Sequence, residues 1–328
     1  MIHIVILKIH YMDLLREEML QGMFPVLPTP FHDDLAIDPQ GLQRVAEFAI
    51  DGGADGLVFP GFASEVDELD GAERMQLLRS LTETVAGRIP IVAGASSPSV
   101  EETVARCREA ESLGIRQVMI QAPKSVGATA ADVAAFYAAV AREVPALEIV
   151  LQNAPSPRGA DLAPATIVAI ARDIPSIRYV KEETLPSGAA ISHLVAHRPA
   201  SVAGILGGGG ARYIVEEYNR GACGAMPATE FTDLHVSLDR AWRADDIAQA
   251  RRIYELLLPL LVIQAFSRMR FTKHVLTRRG VLRNDAVRAK IAPLDTHDRA
   301  EIEALLDRIA DRMRTAPLQP LVRAQTSS

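Results

Sequence analysis

Short apolar runs alternate with longer stretches of helical periodicity through most of this chain. Eight runs have the length and bounding residues of buried strands: Phe24-Pro25-Val26-Leu27, Gly56-Leu57-Val58-Phe59, Ile89 to Ala93, Gln117 to Ile120, Glu148 to Leu151, Ile177 to Lys181, Val202 to Leu206 and Cys223 to Met226. Between them lie stretches such as Val100 to Leu113 and Ala130 to Val144, rich in Ala, Glu and Arg with apolar residues three and four apart. Strand and helix in strict alternation mark βα units feeding a parallel sheet. Eight such units close on themselves, so the predicted fold is α/β, an eight-stranded parallel (β/α)8 TIM barrel. A doubly wound open sheet would place Gly-x-Gly-x-x-Gly after its first strand, and no such motif is present.

The pattern divides the chain into an N-terminal extension (1–21), the barrel (22–230), a wholly helical stretch (231–315) holding the last barrel helix and a C-terminal helical extension, and a loose tail (316–328). The opening residues are apolar, but Lys8 and His10 break a run already too short to span a bilayer, and no small-residue cleavage site follows. With 23% charged and 48% hydrophobic residues the composition is that of a soluble protein with a large core. A formal net charge of −6 and scattered Lys and Arg exclude nucleic acid as the expected partner, and no membrane partner is indicated. The only two cysteines, Cys107 and Cys223, lie in a predicted helix and a predicted strand without metal-ligand spacing, which predicts packing roles and a reducing, cytoplasmic setting.

Reactive groups of a βα barrel come from the C-terminal ends of the strands. Four ends here carry polar or backbone-exposing residues: Gly61-Phe62-Ala63-Ser64-Glu65, Gln152-Asn153-Ala154-Pro155, Lys181-Glu182-Glu183 and Gly207-Gly208-Gly209-Gly210. The third is the most telling. Alternation along the strand puts Tyr179, Lys181 and Glu183 on one face, so an inward-facing Lys181 shares a pocket with Glu183. An amine where water is scarce can lose its proton and add to a ketone as a Schiff base. Read without context, the same residues are a solvated strand end. The glycine run leaves backbone amides open to a ligand; with no Lys-Ser/Thr after it, a carboxylate or sugar hydroxyl suits it better than phosphate.

Several of these stretches occur together, in order, in one known family. The opening Phe24-Pro25-Val26-Leu27-Pro28-Thr29-Pro30-Phe31, the Gly61-x-x-x-Glu65-x-x-x-Leu69 pattern, Ile91-Val92-Ala93-Gly94, Asn153-x-Pro155 and Tyr179-Val180-Lys181-Glu182 resemble the dihydrodipicolinate synthase and N-acetylneuraminate lyase family, the class I Schiff-base aldolases. The resemblance spans roughly Gly22 to Pro293. It implies that Lys181 is the Schiff-base lysine and that the Gly61 to Glu65 loop binds the carboxylate of a 2-oxo acid. It also implies a homotetramer or homodimer, a small-molecule 2-oxo acid as partner, and neither cofactor nor metal. Glu65 fits a structural role, satisfying amides of its own loop.

Departures from the family pattern narrow the reading. The family's proton-relaying Tyr before the strand-five Asn is replaced by Gln152, which cannot titrate. The hydroxyl-bearing pair after Gly61 is replaced by Phe62-Ala63, with Ser64 where glycine is usual, and Ala122-Pro123-Lys124 stands where an aromatic pair is expected. Authentic dihydrodipicolinate synthase therefore fits poorly. The Lys-Glu-Glu motif and Gln152 resemble the branch acting on 2-keto-3-deoxy sugar acids, including 2-keto-3-deoxyarabonate dehydratases. In that frame Glu183, titrating nearer neutrality beside a buried lysine or else simply paired with Arg158, is the candidate acid-base group. The amides of Phe62, Ala63 and Ser64, with the Ser64 hydroxyl, would hold the substrate carboxylate; Gln152 would hold a water, and Gly207 and Gly208 would meet the polyol end. The expected reaction is dehydration of such an acid, with retro-aldol cleavage to pyruvate and an aldehyde as the alternative and a non-catalytic 2-oxo acid binding barrel as a reading from another class. His193, His197 and His235 fall on helices away from the strand ends and are expected to pack or face solvent.

Overall fold

The computed structural model describes residues 19–123, 125 and 129–319. Eight strands, β1 (Gly22–Met23), β2 (Leu57–Val58), β3 (Ile91–Gly94), β4 (Gln117–Ile120), β5 (Glu148–Asn153), β6 (Ile177–Glu182), β7 (Gly204–Gly207) and β8 (Gly224–Ala225), form one parallel sheet in the order β1-β8-β7-β6-β5-β4-β3-β2. The seam between β1 and β2 closes just beyond β1, where Val26 bridges Val58 and the Leu27 amide donates to the Val58 carbonyl at 3.0 Å. The expected barrel is thus present, with strands β2 to β8 on the apolar runs; β1 lies at Gly22–Met23, just ahead of the Phe24 to Leu27 run, which contributes the bridges at Val26.

Alternation sorts the side chains into two cores. Inside lie Phe24, Val26, Val58, Val92, Met119, Val150, Tyr179, Leu206 and Met226, all buried. Outward-facing residues such as Leu57, Ile91, Val118, Ile149, Val180 and Ile205 pack under the surrounding helices. Leu20 joins the inner set from below the first strand, and its amide donates to the Tyr179 hydroxyl at 3.0 Å. That part of the N-terminal extension is a floor to the barrel; residues 1–18 lie outside the described residues.

A helix follows each strand: α1 (Pro39–Asp51), α2 (Gly71–Val85), α3 (Val100–Ser112), α4 (Ala130–Glu143), α5 (Pro164–Asp173), α6 (Ser187–His197), α7 (Ile214–Asn219) and α8 (Thr232–Arg243). Their starts are written locally: Asp38, Asp70, Ser99 and Thr129 each cap an exposed first turn through a side-chain oxygen. Beyond the barrel come α9 (Ile247–Arg278) and α10 (Thr296–Asp307). The stretch 231–315 is therefore not wholly helical, because residues 280–295 run as an irregular segment that starts at Gly280 with φ +71° and contains Pro293. Nor is the described part of the tail loose: Arg279 donates to the Ala316 carbonyl and the Gln319 amide to that of Arg278, while residues from Pro320 on lie outside the described residues.

Helix α9 positions the site. It runs across the C-terminal mouth of the barrel, placing Gln264, Ala265, Arg268, Met269 and Thr272 at the rim of the cavity there. Its helical geometry breaks at Arg268 (φ 48°, ψ −120°), a conformation that costs a non-glycine residue on the order of 1–3 kcal/mol.

Candidate active site

The mouth of the barrel holds a cavity of about 650 Å³, and Lys181 and Glu183 stand in its wall beside Phe62, Ala63, Arg158 and Arg212. Register explains how they meet. Gln152 pairs with Lys181 across β5 and β6, and the ladder continues past the strand end because the Glu183 amide donates to the Asn153 carbonyl at 2.9 Å. Residue 183 thereby keeps the inward direction of residue 181. Lys181 Nζ lies 2.7 Å from Glu183 Oε1, and both side chains are 7% exposed. The intervening Glu182 faces the other way, fully buried, and accepts hydrogen bonds from Asn153 and the Thr184 amide.

Glu183 is held on three sides. Gln152 Nε2 donates to its Oε1 at 2.8 Å, Arg158 pairs with its Oε2, and Lys181 completes the set. Burial pushes this carboxyl upward, but the charges of Lys181 and Arg158 outweigh that cost and hold it at about 2. The expectation that Glu183 titrates near neutrality is overturned, since two cations in contact with it stabilise the carboxylate. Both partners foreseen for it, Lys181 and Arg158, are engaged at once. Gln152 orients Glu183 and lies just beneath the cavity wall.

The loop after β2 forms a 3-10 turn over Phe62–Ser64. Such a turn leaves its first amides without internal partners. Those of Phe62 and Ala63 make no hydrogen bond among the described residues, and both residues line the cavity, as a carboxylate-binding role requires. Ser64 does not join them. Its amide closes the turn onto the Gly61 carbonyl, while its hydroxyl accepts from the Gly61 amide at 2.8 Å and donates to the Leu27 carbonyl at 2.5 Å. Fully buried and fully used, Ser64 shapes the loop instead of contacting a ligand.

Glu65 then fixes the loop to the C-terminal extension. In left-handed conformation (φ 55°) it pairs with Lys273 of α9 at 2.6 Å and accepts from the Arg288 and Ala289 amides, both at 2.8 Å. The role is structural, as read from the sequence, but the amides that Glu65 satisfies belong to the segment after α9 and not to its own loop.

The glycine run also differs from expectation. Gly207 is packed against the Glu217 side chain and Gly208 against that of Glu183, so neither has room for a Cβ. Gly209 and Gly210, both at positive φ, line the cavity in their place. Ala122 is buried, Pro123 is half-buried, and Lys124 lies outside the described residues.

Three residues escaped the sequence reading: Arg212, Gln264 and Arg268. Arg212 stands two residues after the glycine run, beyond Ala211, and that proximity was its only signal. Gln264 and Arg268 arrive from α9 with no local motif to mark them. Among the described residues no cluster of His, Cys, Asp and Glu could hold a metal ion, and no helix is long and apolar enough to cross a membrane. His193 and His197 stack on α6 and His235 is buried in α8, all away from the cavity.

A family model described as the dihydrodipicolinate synthetase family matches residues 19–309, a span that takes in the whole barrel and α9. The chain belongs to the dihydrodipicolinate synthetase family. Like the family's dehydratases and aldolases, it is a lyase. An "L-2-keto-3-deoxyarabonate dehydratase" of Azospirillum brasilense is 31% identical over 88% of this chain and 94% of its own length. The "Probable 2-dehydro-3-deoxy-D-pentonate aldolase YjhH" of Escherichia coli K12 is 28% identical over 74% of this chain and 81% of its own. Among solved structures, a dihydrodipicolinate synthase of Rhodopseudomonas palustris superposes with a TM-score of 0.82 at 28% identity, covering 88% of this chain and 97% of that one.

Proposed function

We propose that this lyase forms a Schiff base between Lys181 and the C2 ketone of a 2-keto-3-deoxy sugar acid and dehydrates it, with acids of the 2-keto-3-deoxyarabonate type as substrates. The observation that carries the reading is the buried contact between Lys181 and Glu183 at the barrel mouth, 2.7 Å across. Similarity to the Azospirillum dehydratase over nearly the full length of both chains supports the substrate class.

The steps follow from the geometry. Lys181 passes one ammonium proton to Glu183 and its amine adds to C2; the carbinolamine hydroxyl takes that proton back and leaves as water, so a protonated iminium forms and Glu183 is again a carboxylate. The substrate carboxylate sits on the Phe62 and Ala63 amides, which exist unpaired for that purpose. Glu183 then takes a proton from C3, and the electrons of that C–H bond flow into the iminium to give a neutral enamine. Charge makes this step self-consistent. Glu183 is a weak base at rest because Lys181 is cationic; as the iminium charge collapses, one of the two cations holding the carboxylate ionised disappears and its proton affinity rises. The enamine expels the C4 hydroxyl, which leaves as water with the proton returned by Glu183; water then hydrolyses the resulting conjugated iminium to free Lys181, and tautomerisation of the C3=C4 double bond toward the C5 hydroxymethyl group gives the semialdehyde. Gln152 takes the place of a titrating group and only orients Glu183, so acid and base duties fall on one carboxylate.

The test is intact mass after borohydride reduction with pyruvate and with 2-keto-3-deoxyarabonate, followed by peptide mapping and product analysis. An adduct on Lys181 with 2-oxoglutarate semialdehyde as product is the expected result. Pyruvate plus an aldehyde as products would replace dehydration by retro-aldol cleavage, and the absence of any adduct in folded protein would overturn the Schiff-base reading.

A further inference from the structure

The cavity carries more positive charge than a simple 2-oxo acid can use. Of its lining residues Arg158, Lys181, Arg212 and Arg268 are cationic and only Glu183 is anionic, a surplus of three. One carboxylate at the Phe62 loop leaves two. Conversion of Lys181 to an iminium does not reduce this surplus, because the iminium is also a cation.

Arg158 is accounted for by its pairing with Glu183. Arg212 and Arg268 have no carboxylate within ion-pair distance among the described residues. Arg268 is exposed, so water screens much of its charge, and its guanidinium lies 5.0 Å from the centre of the Phe62 ring, which Arg158 also approaches at 4.9 Å. Arg212 is the stronger case, since it is half-buried and held in place by a relay of buried amides and carboxyls. Its Nη1 donates to Gln264 Oε1 at 3.1 Å and to the Leu261 carbonyl at 3.3 Å. Gln264 Nε2 donates in turn to Oε1 of the fully buried Glu230 at 2.7 Å, which turns the amide oxygen toward the guanidinium. Tyr254 caps the Arg212 carbonyl at 2.6 Å. Gly210 is part of the same construction, because a Cβ there would come within 2.5 Å of Gln264 Oε1 and 3.1 Å of the guanidinium. None of these contacts neutralises Arg212. The Gln264 and Leu261 contacts both fall on Nη1, the Tyr213 side chain in the same wall also hydrogen-bonds the guanidinium, and Arg212 stays a cation in the lining of the cavity, with a planar donor set suited to a carboxylate or phosphate.

We propose that Arg212, positioned by Gln264 and assisted by Arg268 at the rim, is an anion subsite for a second charged group on the substrate, at the end remote from the 2-oxo carboxylate. The inference rests on the Schiff-base reading and narrows its substrate class to 2-keto-3-deoxy acids with a terminal carboxylate or phosphate. Both anions match the guanidinium fork. On this reading 2-keto-3-deoxyarabonate, with one negative charge, is a slower substrate than a dianionic member of its class.

The experiment is competitive borohydride trapping on the full-length protein, read by intact mass and peptide mapping. The pairs are 2-oxoadipate against 2-oxohexanoate, matched in length and differing in the terminal charge, and 2-keto-3-deoxy-6-phosphogluconate against 2-keto-3-deoxygluconate. Pyruvate, too short to reach Arg212, is trapped in parallel. A preference of about tenfold or more for a dianion is expected, of the size that separates a charge-assisted contact from none. In Arg212→Met the preference collapses toward unity, and in Arg212→Lys part of it returns. Which dianion is preferred tells carboxylate from phosphate. Equal trapping within both pairs while pyruvate is trapped normally would overturn the anion subsite and leave the Schiff-base reading standing. Failure of pyruvate itself to form an adduct would overturn the Schiff-base reading and the subsite with it.

Discussion

Lys181 and Glu183, two residues apart on one strand, meet head to head at 2.7 Å because β6 keeps its inward alternation one residue beyond the last ladder pair. In the proposed mechanism neither group performs its task without the other: the cation keeps the carboxylate ionised, and the carboxylate takes a proton only after the cation has become an iminium.

Replacing Lys181 by Ala removes the proposed nucleophile. No borohydride adduct should form with any 2-oxo acid, and turnover should fall to background while the circular dichroism spectrum is kept. An adduct that persists in this variant would move the Schiff base elsewhere.

Glu183→Gln retains the shape and the contact with Gln152 but not the charge. We expect kcat to fall about 10²- to 10⁴-fold, the usual contribution of a positioned acid-base group, with pyruvate still trapped on Lys181. Since the wild-type carboxyl sits at about 2, below the ordinary carboxylate range, the charged form contributes stability above pH 4.5 that is lost as pH falls toward 2. Acid denaturation of the variant should be correspondingly flatter in that window. An undiminished rate of C3 deuterium exchange in bound pyruvate would show that another group is the base.

Ser64→Ala tests whether that hydroxyl is structural. It leaves a buried amide at Gly61 and a buried carbonyl at Leu27 unpaired, a cost of about 1–3 kcal/mol in denaturant unfolding. Trapping of pyruvate at saturation should be little changed. A large loss of pyruvate affinity with full stability would return Ser64 to the substrate.

The Glu65–Lys273 pair ties the loop after β2 to α9. Removing one partner, as in Lys273→Met, strands a buried charge and should cost about 3–5 kcal/mol; Glu65→Gln with Lys273→Met should recover part of that. Simple additivity of the two single variants would show that the pair is not coupled.

Two buried groups outside the cavity push the pH dependence of stability in opposite directions. Burial raises Glu217 to about 7, so its contribution is fully present below pH 4.5 and is lost as pH rises through 7. Burial lowers His235 to about 4, so its contribution is present above pH 6.5 and lost as pH falls through 4. Between pH 4.5 and 6.5 the two oppose. Glu217→Gln should therefore stabilise the protein at pH 8 relative to pH 5, and His235→Leu should remove acid sensitivity below pH 6.5. Unchanged thermal-unfolding profiles across pH 4 to 8 would remove these groups from the account.

Much of the barrel was legible because strand burial and helix capping are local. Leu57, Ile91 and Val118 reveal apolar runs, and Asp70 or Ser99 announces a helix within its own turn. Lys181 and Glu183 were legible for the same reason, their shared face following from a period of two. What failed was non-local. The titration of Glu183 depends on Arg158 from another strand end, the occupation of the Ser64 hydroxyl on Leu27 just beyond β1, and the cation surplus on Arg158, Arg212 and Arg268 brought together from two strand ends and α9. A composition pattern records none of these distances. The irregular segment from 280 to 295 was misread because its Ala and Arg content mimics a helix while Glu65 and Lys273 claim its backbone groups.

Helix α9 touches both ends of the cavity: Lys273 anchors the loop at one end, and Gln264 sets Arg212 at the other. The break at Arg268 lies between them, and each residue inserted into or removed from the regular helix on either side of it would swing the anchor on that side by roughly 100° around the helix axis, detaching it from its partner. The reach of the site is thus counted in helical turns. A descendant of this chain that acquired a longer or shorter substrate would be expected to do so by changing the side chains that α9 presents, while the length of the helix itself stays fixed.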